Sequence, residues 1–130
     1  MIVAVTGGRD YPWTDEDTDL FESLVRFLDV KEIWHGGAVG VDAAVHMHAR
    51  RLRLSVRVFQ PELGLSPEEL PRALLSRSAR MIEALDHAIH HDGHRGAVWA
   101  WPGNDGTDFT VGQALRRRLH TLDLRGRSPR

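Results

Sequence analysis

Apolar residues along this chain alternate between two rhythms. IVAVT at residues 2–6 is a continuous apolar, β-branched run, the pattern of a strand covered on both faces. KEIWH (31–35), LSVRVF (54–59), AVWAW (97–101) and the short TLDL (121–124) repeat it. Between these runs the apolar positions switch to helical spacing. Thr14 with Asp17 three positions on is a capping signature, and Leu20, Phe21, Leu24, Phe27 and Leu28 follow at helix intervals. Residues 41–52 predict a second helix. Ser66, Pro67 and Glu69 form another capping signature, after which Pro71 predicts a kink or a restart. Ser78, Met81, Ile82, Leu85, Ala88 and Ile89 then make one stripe that Gly93 ends. Residues 108–119 predict the last helix.

Strands separated by helices of this length predict crossover connections and an α/β, three-layer Rossmann-like fold with a mostly parallel sheet of about five strands. The length of 130 residues fits a single domain, expected over residues 1–124. RGRSPR at 125–130 is expected to be a disordered basic tail. In a parallel sheet of this kind, ligands bind beyond the carboxyl ends of the strands, where the strand order reverses.

Composition narrows the chemistry. The chain has no cysteine, which excludes disulfides, thiolate metal sites and cysteine nucleophiles, and fits a reducing, cytoplasmic setting. No stretch is long and apolar enough to predict a membrane span or a signal peptide. Seventeen basic against eighteen acidic residues give a net charge of -1, so no long-range positive field is available to hold nucleic acid. An anion has to be caught by local donors.

Three glycine corners offer such donors: VAVTGGRD (3–10), WHGGAVGVD (34–42) and VWAWPGNDGTDF (98–109), each leading from an apolar run toward a helix. A glycine-stripped strand-to-helix corner is expected to leave main-chain N–H groups open to phosphate. All three follow strand C-termini, so they are expected to converge on one edge of the sheet. The expected phosphate-binding set is Gly7, Gly8, Arg9 and Asp10 in the first corner, Gly36, Gly37, Ala38, Gly40 and Asp42 in the second, and Gly103, Asn104, Gly106 and Thr107 in the third. For Gly7 and Gly37, helix-on-strand packing is the alternative reading.

GGRDY (7–11), HGGAVGVD (35–42), SRSARM (76–81) and PGNDGTD (102–108), in this order, resemble the SLOG superfamily over nearly the whole chain. Within it they are most similar to the small YspA-like, cpYpsA-related proteins grouped as a domain of unknown function. The resemblance implies a Rossmann-like fold that binds nucleotides or nucleotide-derived ligands. It extends more distantly to the LOG phosphoribohydrolases, which release a base from a nucleoside monophosphate, to the DNA-processing protein DprA and to proposed ligand sensors. It also implies a homodimer.

Carried over residue by residue, Gly103, Gly106 and Thr107 fall on the superfamily's phosphate-binding PGGxGT loop. Asn104 replaces its second glycine, a position at which asparagine tolerates positive φ. Arg77, four positions before Met81, matches the arginine of the RNxxM helix and is the candidate phosphate or ribose clamp. SPEELPRALL lacks the AGPxRN run of the usual relatives, and Asp108 stands where the phosphoribohydrolases carry glutamates.

Cleaving an N-glycosidic bond builds positive charge on the ribose, so an enzyme needs a carboxylate beside the sugar. Asp42, Asp108, Asp10 and Asp105 are the available acids, and Asp108, Asp42 and Arg77 are the catalytic candidates. Helix capping is the alternative role for Asp42, and helix N-terminal charge for Asp108. Arg9 and Asp10 face the ligand edge or pair with one another. His35, closing its strand, donates to a ligand or bonds a neighbouring carbonyl.

His87, His90, His91 and His94 invite a metal reading, but a solvated helix end accounts for them, and no metal or cofactor is assigned. Trp99 and Trp101 read as core, with base stacking as the alternative for Trp101. Three functions remain: a regulatory or sensing module for a nucleotide-derived ligand, a phosphoribohydrolase-like enzyme, and a DNA-associated module. Near-neutral charge disfavours the last.

Overall fold

The computed structural model describes residues 1–127. Five strands, β1 (Ile2–Thr6), β2 (Glu32–His35), β3 (Ser55–Val58), β4 (Gly96–Ala100) and β5 (Thr121–Asp123), alternate with four helices, α1 (Asp15–Leu28), α2 (Val41–Arg51), α3 (Leu70–His90) and α4 (Asp105–Arg116). The strands form one sheet in the order β3-β2-β1-β4-β5, and every neighbouring pair is parallel. The expected three-layer α/β Rossmann-like fold is therefore the observed one.

The alternation of side chains along each strand divides the core into two layers. Val3 and Val5 of β1, with Trp99 of β4, pack under Phe21 and Val25 of α1 and Val41 and Val45 of α2. Ile2 and Ala4 of β1, Trp34 of β2 and Val98 of β4 face Met81, Ile82 and Leu85 of α3 and Ala114 of α4. Burial on both faces explains why β1 and β4 read as unbroken apolar runs rather than alternating ones. β3 is an edge strand, and three of its four residues are exposed.

Thr14 caps α1 by the reciprocal pattern expected: its hydroxyl accepts from the Asp17 amide at 3.2 Å, while Asp17 accepts from the Thr14 amide at 3.0 Å. Ser66 and Glu69 make the same exchange in the turn before α3. Pro71 then sits in the first turn of one continuous helix instead of kinking it, because a first-turn amide has no intrahelical acceptor to lose. α4 starts three residues earlier than its apolar spacing predicts, since Asn104 caps it.

Beyond β5 the chain turns back. Arg125 pairs with Asp123 and Asp108, and Arg127 pairs with Asp17, so these two residues of the expected disordered tail are anchored by side-chain contacts. The remainder of that expected tail, residues 128–130, lies outside the described residues.

Candidate functional site

Strand order reverses between β1 and β4, and all three glycine corners meet beyond the carboxyl ends of those strands and of β2. The Gly8 amide donates to the Pro102 carbonyl at 2.8 Å, joining the first corner to the third. The Val41 amide donates to the Gly8 carbonyl at 3.2 Å, joining the second corner to the first. These contacts demand glycine. A Cβ on Gly8 would stand 2.9 Å from the Gly103 Cα, and one on Gly40, where φ is +80°, would stand 2.4 Å from the Gly8 carbonyl oxygen. Gly7 lies against the Val41 side chain, the packing role read as its alternative.

Convergence is as the sequence predicts, but the second corner is not open. The amides of Gly36 and Ala38 both donate to Asp42 Oδ2 at 3.2 Å, and the Gly37 amide donates to His35 Nδ1 at 2.9 Å. Three of the expected N–H groups of this corner, those of Gly36, Gly37 and Ala38, are thus held by the protein's own side chains. Main-chain amides in so crowded a corner must be paired, and Asp42, in the first turn of α2, is within reach of two of them.

This arrangement sets the state of both side chains. Asp42 is 5% exposed, and burial pushes its carboxyl up to about 6 against the opposing pull of the Ala38 amide, the Arg77 charge and the Gly36 amide. Burial pushes His35 down to about 4, assisted by His46 and Arg77. Because His35 Nδ1 accepts from Gly37, its proton belongs on Nε2, which lies 2.8 Å from His46 Nδ1. The histidine neither meets a carbonyl nor faces the cleft; it props the corner.

Arg77 crosses from α3 to lie over Gly36, where a Cβ would collide with its Nη1 at 2.0 Å. Nη1 donates to the carbonyls of Gly36 and Phe59. The adjacent Nε is buried and has no acceptor among the described residues. A guanidinium fixed through one nitrogen and unsatisfied at another is an anchored donor with hydrogen-bonding capacity to spare.

A cleft of about 140 Å³ opens beside it. Thr6, Gly7 and Arg9 line it from the first corner, Ala38 and Asp42 from the second, and Asn104, Gly106 and Thr107 from the third. Leu74, Leu75, Arg77 and Ser78 close it from α3. Leu74, Arg77 and Ser78 follow i, i+3, i+4 spacing, so one helix face presents all three. Sequence reasoning missed Thr6, Leu74, Leu75 and Ser78. Three-residue helical spacing back from Arg77 is the sequence signal for Leu74, whereas Ser78 reads in sequence as part of the apolar stripe.

Asn104 does not adopt positive φ. Its φ is -114°, and its side chain caps α4 by accepting from the Gly106 amide at 3.2 Å. That bond occupies one amide of the third corner, while the first-turn amides of Asp105 and Thr107 have no intrahelical acceptor.

The structure separates other expected residues from the cleft. Gly8 and Gly40 serve the close packing of backbones, Gly103 lies against the Thr107 side chain and the Gly8 amide, Gly36 makes room for the Arg77 guanidinium, and Gly37 is turned toward Val58. Asp10 is exposed and outside the lining. Asp108 is exposed and paired with Arg125 Nη1 at 2.9 Å, because the segment after β5 returns across α4. It therefore does not stand beside Asp42 and Arg77. Trp101 is fully buried, its indole donating to Asp17 Oδ1 at 3.2 Å, so it is core and not a base platform.

At the other end of the strands, a larger depression of about 1060 Å³ includes Met1, Lys31, Glu32 and the histidines of α3. It contains none of the glycine corners. His87 stacks on His91 and His90 pairs with Asp86, and no group of three or more potential ligands is placed to hold a metal among the described residues.

No protein-family model matches the chain, and no curated protein matches it. Solved structures do. The chain is similar to DNA processing protein A (DprA) from Streptococcus pneumoniae, with a TM-score of 0.66 at 16% identity over 93% of this chain and 49% of that one. It is also similar to the structural-genomics target TM1055, with a TM-score of 0.65 at 20% identity over 97% of this chain and 75% of that one. The chain has the DprA-like Rossmann fold. It spans about half the length of DprA, and at these identities the likeness concerns the fold alone. Among the described residues no helix is long and apolar enough to cross a membrane.

Proposed function

We propose that this chain binds a nucleotide or nucleotide-derived ligand in the cleft at the β1/β4 reversal, as a ligand-sensing or regulatory module. One observation carries the reading: Arg77 lines the cleft with its Nη1 tied to two carbonyls, while its buried Nε has no acceptor among the described residues. Leaving a buried donor unmade costs about 1–3 kcal/mol, a cost that a ligand oxyanion removes. The first-turn amides of α4 and the hydroxyl of Thr107 supply further donors on the opposite wall. The order of GGRDY, HGGAVGVD, SRSARM and PGNDGTD supports assigning the chain to the YspA-like branch of the SLOG superfamily. A cytoplasmic homodimer belongs to the same proposal, and sedimentation of the purified chain tests the dimer.

A thermal-shift panel of nucleoside monophosphates, cyclic nucleotides, NAD and ADP-ribose tests the ligand class. A compound at a hundred times its dissociation constant adds about 2.7 kcal/mol of stability. At least one stabiliser is expected, and failure of every compound overturns the reading.

The second reading is a phosphoribohydrolase-like enzyme, and Asp42 favours it, being a buried carboxyl in the cleft with its pKa moved toward neutrality. Asp108 lends this reading no support, since it is engaged by Arg125. Chromatography for free base released from the best-binding nucleotide separates enzyme from binder. A DNA-associated module draws support from the fold alone, and the net charge of -1 adds none.

A further inference from the structure

Asp42 uses only half of its carboxylate. Oδ2 accepts both amides, Gly36 and Ala38, whereas Oδ1 accepts no hydrogen bond among the described residues. The side chain is more than nine-tenths buried, yet it lines the same small cleft as the unsatisfied Arg77. Two N–H donors on Oδ2 leave that oxygen unable to carry a proton without losing a bond. Any proton on this acid therefore belongs on Oδ1, the oxygen with no protein partner.

Placing an anion in a cleft of about 140 Å³ brings a second negative charge close to a poorly hydrated carboxylate. We propose that Asp42 holds the ligand as a neutral acid, donating an Oδ1–H hydrogen bond into the cleft, so that ligand binding takes up one proton from solvent. This rests on the anion site proposed above, and it adds the protonation state in which that site recognises its ligand. The neutral acid replaces a repulsion with a hydrogen bond, while the two amide contacts hold its orientation.

The other charges around Asp42 work with this assignment. Arg77 faces it from α3 and Arg9 lines the cleft from the loop after β1, both drawing the ligand anion. His35 at the end of β2, with His46 of α2 behind it, is held neutral by burial. α4 contributes only Asn104, Gly106 and Thr107 to the lining, none of which titrates.

Inorganic sulfate is the appropriate probe, since it stays a dianion between about pH 5 and pH 8 and brings no titration of its own. In the full chain, carboxyl-carbon NMR is expected to show Asp42 titrating near neutrality and its midpoint moving up when sulfate is added. Sulfate affinity is expected to weaken about tenfold from pH 6 to pH 8 in the native chain. Asp42→Asn keeps an acceptor for both amides and a donor at the Oδ1 position, so its affinity should stay at the low-pH level throughout. A sulfate-independent midpoint, or an Asp42→Asn variant that weakens with pH as the native chain does, overturns the inference. Sulfate moving the Asp42 midpoint while no nucleotide stabilises the chain would keep the proton-linked anion site and remove the nucleotide reading.

Discussion

Arg127 Nε lies 2.9 Å from Oδ1 of Asp17, a carboxylate with no solvent exposure, across 110 positions of sequence. Asp17 also receives Tyr11 Oη at 2.8 Å, the Thr14 amide and hydroxyl at 3.0 Å, and the Trp101 indole at 3.2 Å. A residue that opens as a helix cap in sequence is thus the polar centre where α1, the end of β4 and the segment after β5 are joined.

Arg127→Ala should destabilise the chain by about 1–3 kcal/mol, less than the full cost of stripping a buried ion pair, because Asp17 keeps its other donors. Asp17→Ala should cost more, since it also removes the cap and orphans the Trp101 N–H. Urea denaturation of both variants checks the order. Equal costs would mean that Arg127 is the only partner of consequence.

The local part of this arrangement was legible and the remote part was not. Thr14 and Asp17 announce the cap because the exchange depends on three-residue spacing alone. Nothing in RGRSPR distinguishes an arginine that reaches a buried carboxylate from one in a solvated tail. The same division runs through the site. The unbroken apolar runs at β1 and β4 foretold a sheet covered on both faces, and the glycines after them foretold the meeting of three corners. Whether the corner amides stay free depends on side chains folding back, and Asp42 and His35 close the second corner in a way no spacing rule displays. Asp108 was drawn away for a similar reason, by an arginine 17 positions on.

The interlocked glycines should be intolerant of a methyl group. Gly40→Ala places a Cβ 2.4 Å from the Gly8 carbonyl oxygen at a φ of +80°, so two penalties act together. The expected loss is about 3 kcal/mol or more. Gly112→Ala, in α4 with open space around it, should instead be neutral or stabilising by up to about 1 kcal/mol. Thermal denaturation of the pair checks whether backbone contact, and not glycine content, governs the corners.

Asp108→Asn should leave both ligand binding and any base release unchanged, because the carboxylate is engaged by Arg125 and stands outside the cleft lining. Its effect on stability should stay within about 1 kcal/mol, as for an exposed ion pair. A large loss of turnover in this variant would return Asp108 to the site and require the segment after β5 to move.

Arg77→Lys separates charge from geometry. Lysine retains the positive charge but cannot hold two carbonyls with one nitrogen and offer another to an oxyanion. Affinity for the best ligand of the panel should fall at least about tenfold, with a loss of stability of about 1–2 kcal/mol from the bonds to Gly36 and Phe59. Isothermal titration alongside urea denaturation reads both. Retained affinity would reduce Arg77 to a charge.

The second corner also makes a prediction about acid. His35 is held at about 4, so between that value and its ordinary 6.5 the unfolded chain binds the proton better, and the histidine's contribution to stability falls as pH falls. Asp42 is raised to about 6 from 3.8, so over that interval the folded chain binds the proton better, and its contribution rises as pH falls. The two slopes oppose each other across the interval from about 6 to about 4, and the native chain should lose little stability there. Asp42→Asn removes one of them and uncovers the other. Its stability, set against the native chain by denaturation at pH 7, 6, 5 and 4, should fall increasingly as acid is added, by up to about 1.4 kcal/mol per pH unit. Parallel curves for the two proteins would show that Asp42 titrates in the ordinary carboxylate range, and that burial in this corner does not hold its proton.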